Sequence, residues 1–356
     1  GGAVLNLGYS LSRTGRLAQS ALHYQRAHEL WLNQINEAGG ILGRLVEARV
    51  YDDESEPEKA AENYRRLIQE DGISILLGPC HTRLMAPVTQ VAEQAQALLL
   101  QGTHGSHADF QPGLNHQFLC WPGCDFDYAK PFLEHLGRAD ARTAALVHTD
   151  GRIGQAVAAG TRHHADALCI GLVHDQAIGE PPFDYATLMA RVKDTDPAAL
   201  LIGLDHGRGD EPRQSCLKAA HDAGIPADMI WHSDNPSAGD VGLGAANEGV
   251  HMRLTWVPGI ADPRSLEFAA DFKSAYGEAA EFHGAGGFAC GEVLAQAAEM
   301  AGVWEPDALR RTIRKGSFST VVGPLRFRPG GLPECVLRVG RWENGRLRIL
   351  DREWEQ

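Results

Sequence analysis

Hydroxyl, imidazole and carboxylate side chains recur in this chain just after short apolar runs, a placement suited to holding a small charged molecule. Cys80-His81-Thr82-Arg83 follows the run ending at Leu77, and Gly102-Thr103-His104-Gly105-Ser106 follows Leu100. Thr82 could offer its hydroxyl beside the free N–H groups of a helix beginning near Met85, which makes a carboxylate seat. Simple capping of that helix carries equal weight, and Arg83 reads as a surface residue. Further on, His148-Thr149-Asp150, Leu204-Asp205-His206-Gly207 and Ser233-Asp234-Asn235 occupy the same kind of position. A carboxylate such as Asp205 or Asp234 could hold an ammonium in a closed cleft, where water no longer screens the pair. Each alone also fits a turn. The binding candidates are His81, Thr82, Gly102, Thr103, His104, Asp150, Asp205, His206 and Asp234.

Other chemistries lack their residues. Gly102-x-x-Gly105 and Gly151-x-x-Gly154 each follow an apolar run, but neither is GxGxxG, and no GxxxxGK[ST] phosphate cradle occurs. The GxSxG elbow and HExxH are absent as well. His104, His107, His116 and the adjacent pair His163-His164 read as solvent-facing or capping histidines, because neighbours on a helix point well apart. Seven cysteines leave one over from any set of bridges. Cys120 and Cys124 could pair, but buried free thiols are the favoured reading. No catalytic residue, cofactor or metal is expected. The 46 acidic against 33 basic residues, a formal charge of −13, argue against a nucleic-acid partner.

The elements that must position these residues alternate. Apolar runs at Ala3–Leu7, Leu45–Tyr51, Ile73–Leu77 and Ala97–Leu100 read as strands, separated by amphipathic helices at Ser20–Glu37, Glu58–Glu70 and Met85–Ala95. CWPGCDFD, Cys120–Asp127, interrupts the pattern, and the same grammar then restarts. Strands at Thr143–Val147, Ala167–Val173, Ala199–Ile202 and Met229–His232 alternate with helices at Tyr128–Leu136, Ile153–Ala165, Tyr185–Lys193 and Gln214–Ala223. Strands without polar alternation between helices imply mainly parallel sheets covered on both faces, and open parallel sheets place ligands beyond strand carboxyl ends. Two further helices are expected at Ser265–Tyr276 and Phe288–Ala301. Strand candidates at Gly323–Arg328 and Cys335–Val339 follow, with a closing hairpin around Gly340–Gly345 and Leu347–Leu350.

Several stretches together carry a resemblance. In order they are Asn33-Gln-Ile-Asn-Glu-Ala-Gly-Gly-Ile-Leu-Gly-Arg44, Tyr51-Asp-Asp-Glu-Ser-Glu-Pro57, Arg66-Leu-Ile-Gln-Glu-Asp-Gly72, Leu77-Gly-Pro79, Phe268-Ala-Ala-Asp-Phe-Lys-Ser-Ala-Tyr-Gly277 and Val322-Gly-Pro-Leu-Arg-Phe327. The chain resembles the type I periplasmic binding proteins of the branched-chain amino acid (Leu/Ile/Val) group over nearly its whole length. That resemblance implies an α/β fold of two lobes, each a mainly parallel sheet flanked by helices, with a ligand cleft between them. The expected lobes are residues 1–123 with about 255–332, and 124–254 with about 333–356. It also implies a small polar ligand, an amino acid or amide-like compound, delivered to a membrane ABC permease from a periplasmic or other extracytoplasmic location. The first fifteen residues do not carry an intact signal peptide, so the chain is expected to be either a mature form or cytosolic. By resemblance, the ligand carboxylate meets the loops of His81-Thr82 and Thr103-His104, and the ammonium meets Asp234. Asp205-His206 stands where the family commonly has an aromatic residue, and His81-Thr82 replaces its two-serine pattern. These departures point to a more polar or larger solute than leucine. The alternative of the same fold is a cytoplasmic amide- or amino-acid-sensing regulatory protein.

Overall fold

The computed structural model describes residues 3–350 apart from 104, 206–207, 236 and 261–262. The chain divides into two compact units, residues 1–124 with 255–336 and residues 125–254 with 337–356. It therefore passes from one unit to the other three times.

The first unit opens with β1 (Leu5–Leu11), α1 (Ala18–Glu37), β2 (Val46–Asp52), α2 (Pro57–Gln69), β3 (Ile75–Leu77), α3 (Thr82–Ala95), β4 (Leu98–Gln101) and β5 (Gln117–Leu119). Its sheet runs β2-β1-β3-β4-β5, with every pairing parallel. The expected strand at Ala3–Leu7 lies further on and runs to Leu11. Its polar end is tolerated because Asp53 accepts from the Ser10 and Ser12 hydroxyls while Asn63 donates to Ser10 Oγ. Pro57 starts α2, where a missing N–H costs nothing. Tyr64, Leu67, Leu76, Leu84, Val88 and Leu99 form the core under α2 and α3.

The second unit contains α4 (Lys130–Arg138), β6 (Thr143–Thr149), α5 (Arg152–Ala167), β7 (Gly171–Ile178), α6 (Tyr185–Asp194), β8 (Leu200–Gly203), α7 (Glu211–Asp222), β9 (Ile230–His232) and β10 (His251–Leu254). The strand expected at Ala167–Val173 is displaced by several residues. Helix α5 continues to Ala167, the chain turns through Cys169 at φ 56°, and β7 then forms an edge strand whose outer face is wet. Its polar alternation hides it from a reading based on apolar runs.

Back in the first unit come α8 (Arg264–Tyr276), α9 (Phe282–Ala301), α10 (Pro306–Lys315) and the antiparallel pair β11 (Phe318–Thr320) and β12 (Gly323–Leu325). Helix α9 starts six residues earlier than its sequence suggests. Its glycines hide it from a propensity reading, yet packing requires two of them: a Cβ at Gly291 would lie 2.2 Å from the Trp31 ring, and one at Gly287 would lie 2.9 Å from Tyr24. The chain ends in the second unit with the hairpin β13 (Arg338–Glu343) and β14 (Arg346–Ile349), turning at Asn344-Gly345. The second sheet runs β14-β13-β10-β9-β8-β6-β7 and is parallel from β10 to β7. Val147, Ile202, Leu217 and Ile230 lie in its core.

Candidate functional site

In both sheets, ligand positions follow from where the strand order reverses. The reversal lies at β1/β3 in the first unit and at β6/β8 in the second, so the loops beyond the carboxyl ends of these strands are the places to look.

In the first unit the loop after β1 is already committed. Asp52 accepts from the Arg13 and Thr14 N–H groups and from the Thr14 hydroxyl, while Asp53 accepts from Ser12 Oγ at 2.6 Å. The loops after β3 and β4 are less occupied. They lie side by side because Leu77 pairs with Leu100. Helix α3 begins at Thr82 itself, and its cap is His81, whose Nδ1 accepts the Arg83 N–H at 3.2 Å. Thr82 is therefore in the first turn and does not precede it. Burial, reinforced by Arg16 and His283, lowers the His81 pKa. A neutral ring accepting at Nδ1 carries its proton on Nε2, so His81 is a hydrogen-bond donor.

Gly102 lets the next loop touch α9. A Cβ there would lie 2.4 Å from the Gly286 carbonyl oxygen, and one on Gly286 would lie 1.6 Å from that of Gly102. This backbone contact fixes Thr103, which is 2% exposed and whose Oγ1 has no hydrogen-bond partner among the described residues. An unpaired buried hydroxyl costs about 1–3 kcal/mol, a penalty that a ligand can remove. His104 lies outside the described residues.

In the second unit the loops after β6, β8 and β9 are neighbours through the pairs His148–Gly203 and Ile202–His232. They bring Asp150, Asp205 and Asp234 to one end of the sheet; His206 lies outside the described residues. Asp150 is exposed, 4.0 Å from Arg208. Asp205 is occupied. It accepts from Thr149 Oγ1 at 2.7 Å, Ile153 N–H at 2.8 Å and Gly154 N–H at 3.1 Å. Helix α5 has no side-chain cap of its own, and Asp205 supplies one from the loop after β8. Gly151 and Gly154 leave the space that this carboxylate fills.

Asp234, 7% exposed, pairs with the Arg213 guanidinium. Arg213 is 1% exposed and also reaches Asp240 at 2.7 Å and Asp210 at 3.0 Å. The expected ammonium partner is thus engaged by a protein cation. Sequence reasoning missed that cation, since nothing marks a helical arginine twenty-one residues away as its partner. It also misses Arg253, because β10 reads HMRL and lacks the apolar run that marks a strand. Arg253 Nε donates to Ser233 O at 2.7 Å, Nη2 donates to Asn235 Oδ1 at 2.8 Å, and the guanidinium lies 4.2 Å from the Tyr128 ring centroid.

Comparison with known proteins adds a third line. A family model described as periplasmic binding protein matches residues 4–346. The Leu/Ile/Val-binding protein BraC3 of Rhizobium johnstonii is 24% identical over 351 residues, covering 97% of this chain and 93% of that protein. A putative branched-chain amino acid ABC transporter structure from Rhodospirillum rubrum superposes with a TM-score of 0.86 at 20% identity, over 98% of this chain and 100% of that one. An ABC transporter solute binding protein from R. palustris in complex with benzoate gives 0.70 at 19% identity, over 98% and 96%.

Proposed function

The chain belongs to the periplasmic binding protein family, and from that premise we propose that it captures a small carboxylate-bearing solute, an amino acid or a related acid. In this reading the protein works outside the cytoplasm, holds the solute in a cleft between its two units and delivers it to a membrane ABC permease. It binds and releases without making or breaking a bond.

The observation that carries the reading is Thr103. Its buried Oγ1 lacks a partner at the carboxyl end of β4, beside the loop in which His81 keeps a donor N–H. Hydroxyl and imidazole donors at a helix start suit a carboxylate. The relatives support the class, since leucine, isoleucine, valine and benzoate, named in their descriptions, share a carboxylate. Binding would stabilise the closed state only through contacts stronger there than in the open one.

The test is calorimetric titration with a panel of amino acids and aromatic and aliphatic acids, alongside native mass spectrometry for a co-purified solute. At least one acid is expected to bind. Thr103→Val should weaken it about tenfold while making the unliganded protein more stable, because the substitution removes an unpaired buried hydroxyl. A protein that binds no acid in the panel would sink the proposal.

A further inference from the structure

The loop after β9 holds two arginines in opposite circumstances. Arg213 is surrounded by Asp210, Asp234 and Asp240. Arg253 is fully buried, and no carboxylate among the described residues lies within ion-pairing distance of it. Its Nε and Nη2 are engaged by the Ser233 carbonyl and the Asn235 amide oxygen, both neutral, and Tyr128 covers the guanidinium. Nη1 is buried with no acceptor among the described residues.

A second donor, at the end of β9 on the opposite face of the sheet, lacks a partner among the described residues. The Asp234 N–H donates to His232 Nδ1 at 3.3 Å, so the neutral ring carries its proton on Nε2. That Nε2 is buried and has no acceptor among the described residues either. Arg253 is therefore a buried cation with no carboxylate partner among the described residues. Desolvating a guanidinium without a partner is expensive. Meanwhile Asp234, the group that would have drawn an ammonium, already has Arg213.

We propose that Arg253 Nη1 receives a carboxylate of the solute, so that the preferred ligand carries two acid groups: a dicarboxylate or an acidic amino acid. This rests on the solute-receptor reading, in which the first carboxylate is taken at Thr103, and it adds that the second unit recognises an anion where an ammonium was expected. Arg253 is then the residue that sets specificity.

The experiment compares each diacid with its half-amide on the wild-type protein: succinate with succinamate, glutarate with glutaramate, L-aspartate with L-asparagine and L-glutamate with L-glutamine. Leucine and benzoate serve as single-carboxylate controls. At least one diacid is expected to bind tenfold or more tighter than its half-amide. In Arg253→Gln that ratio should fall to within twofold, with Arg253→Lys between the two. If Arg253→Gln does not fold, the wild-type ratios and the Lys variant still decide. Half-amides, leucine or benzoate binding as tightly as the diacids would overturn this inference and leave the receptor reading standing. So would a diacid preference unchanged in the folded Gln variant. Failure to bind any of these acids would overturn both.

Discussion

The loops after β3 and β4 in the first unit offer neutral donors: the Thr103 hydroxyl, the His81 imidazole and the start of α3. The loops after β8 and β9 in the second unit are charged, and most of that charge is already spent. Asp205 caps α5, and Asp234 and Asp240 hold Arg213. The same strand-end position thus produces one seat that is vacant of partners and one that is largely self-compensated. A conspicuous carboxylate in a loop is more often satisfying its own fold than waiting for a ligand, and the informative groups are those whose partners are missing.

The sharpest way to break this comparison is to unbalance the second unit. Arg213→Met leaves Asp234 and Asp240 buried without their cation, and losing one partner of a buried network costs about 3–5 kcal/mol. For a unit of this size that corresponds to a fall on the order of 10 °C in the unfolding midpoint. A midpoint within 2 °C of wild type would mean that the charges are not compensating one another. The matching change in the first unit is Gly286→Ala. The new Cβ meets the Gly102 carbonyl oxygen, which is backbone and cannot swing aside. A cost of roughly 3 kcal/mol is expected, at the upper end of overpacking. Affinity for the solute should fall with it, since the displaced loop carries Thr103. Loss of stability with affinity intact would detach Thr103 from the site.

Asp205→Ala comes next, at about 2 kcal/mol, the upper range for a lost helix cap. Solute affinity should change less than twofold, because the carboxylate is occupied within the fold. A stable variant that no longer binds would return Asp205 to the ligand. This substitution also separates what the sequence made legible from what it did not. Alternating apolar runs and helices disclosed two parallel-sheet units, and strand-end logic located Gly102, Thr103, Asp205 and Asp234. It could not say which of these are engaged, because the partners are remote: Asp205 reaches back to Thr149 and α5, and Asp234 to α7. Strand β10 escaped because a buried arginine and histidine interrupt its apolar character. The start of α9 escaped because glycines that packing requires lower helix propensity.

The smallest effect concerns acid. Burial holds His232 and His251 in the second unit at pKa values of about 4, and His28 in the first at about 3. A histidine whose folded pKa is depressed contributes stability that is complete above about pH 6.5 and is lost as pH falls toward the folded value. Each therefore costs about 1 kcal/mol between pH 7.5 and pH 5.5. Glu292 in the first unit acts the other way. Burial raises its pKa to about 7, so the folded state takes up a proton before the unfolded one does, and stability increases as pH falls from 7.5 to 5.5. The two effects oppose each other in the first unit, whereas both strongly shifted histidines of the second act together. Hydrogen exchange at the two pH values, corrected for intrinsic rates, should show protection falling in β8 and β9 and holding in β3 and β4. Replacing both His232 and His251 with glutamine should flatten the pH dependence of the second unit. Equal loss of protection in both sheets would mean that Glu292 does not offset His28, and the electrostatic contrast between the units would then not extend to their buried titrating groups.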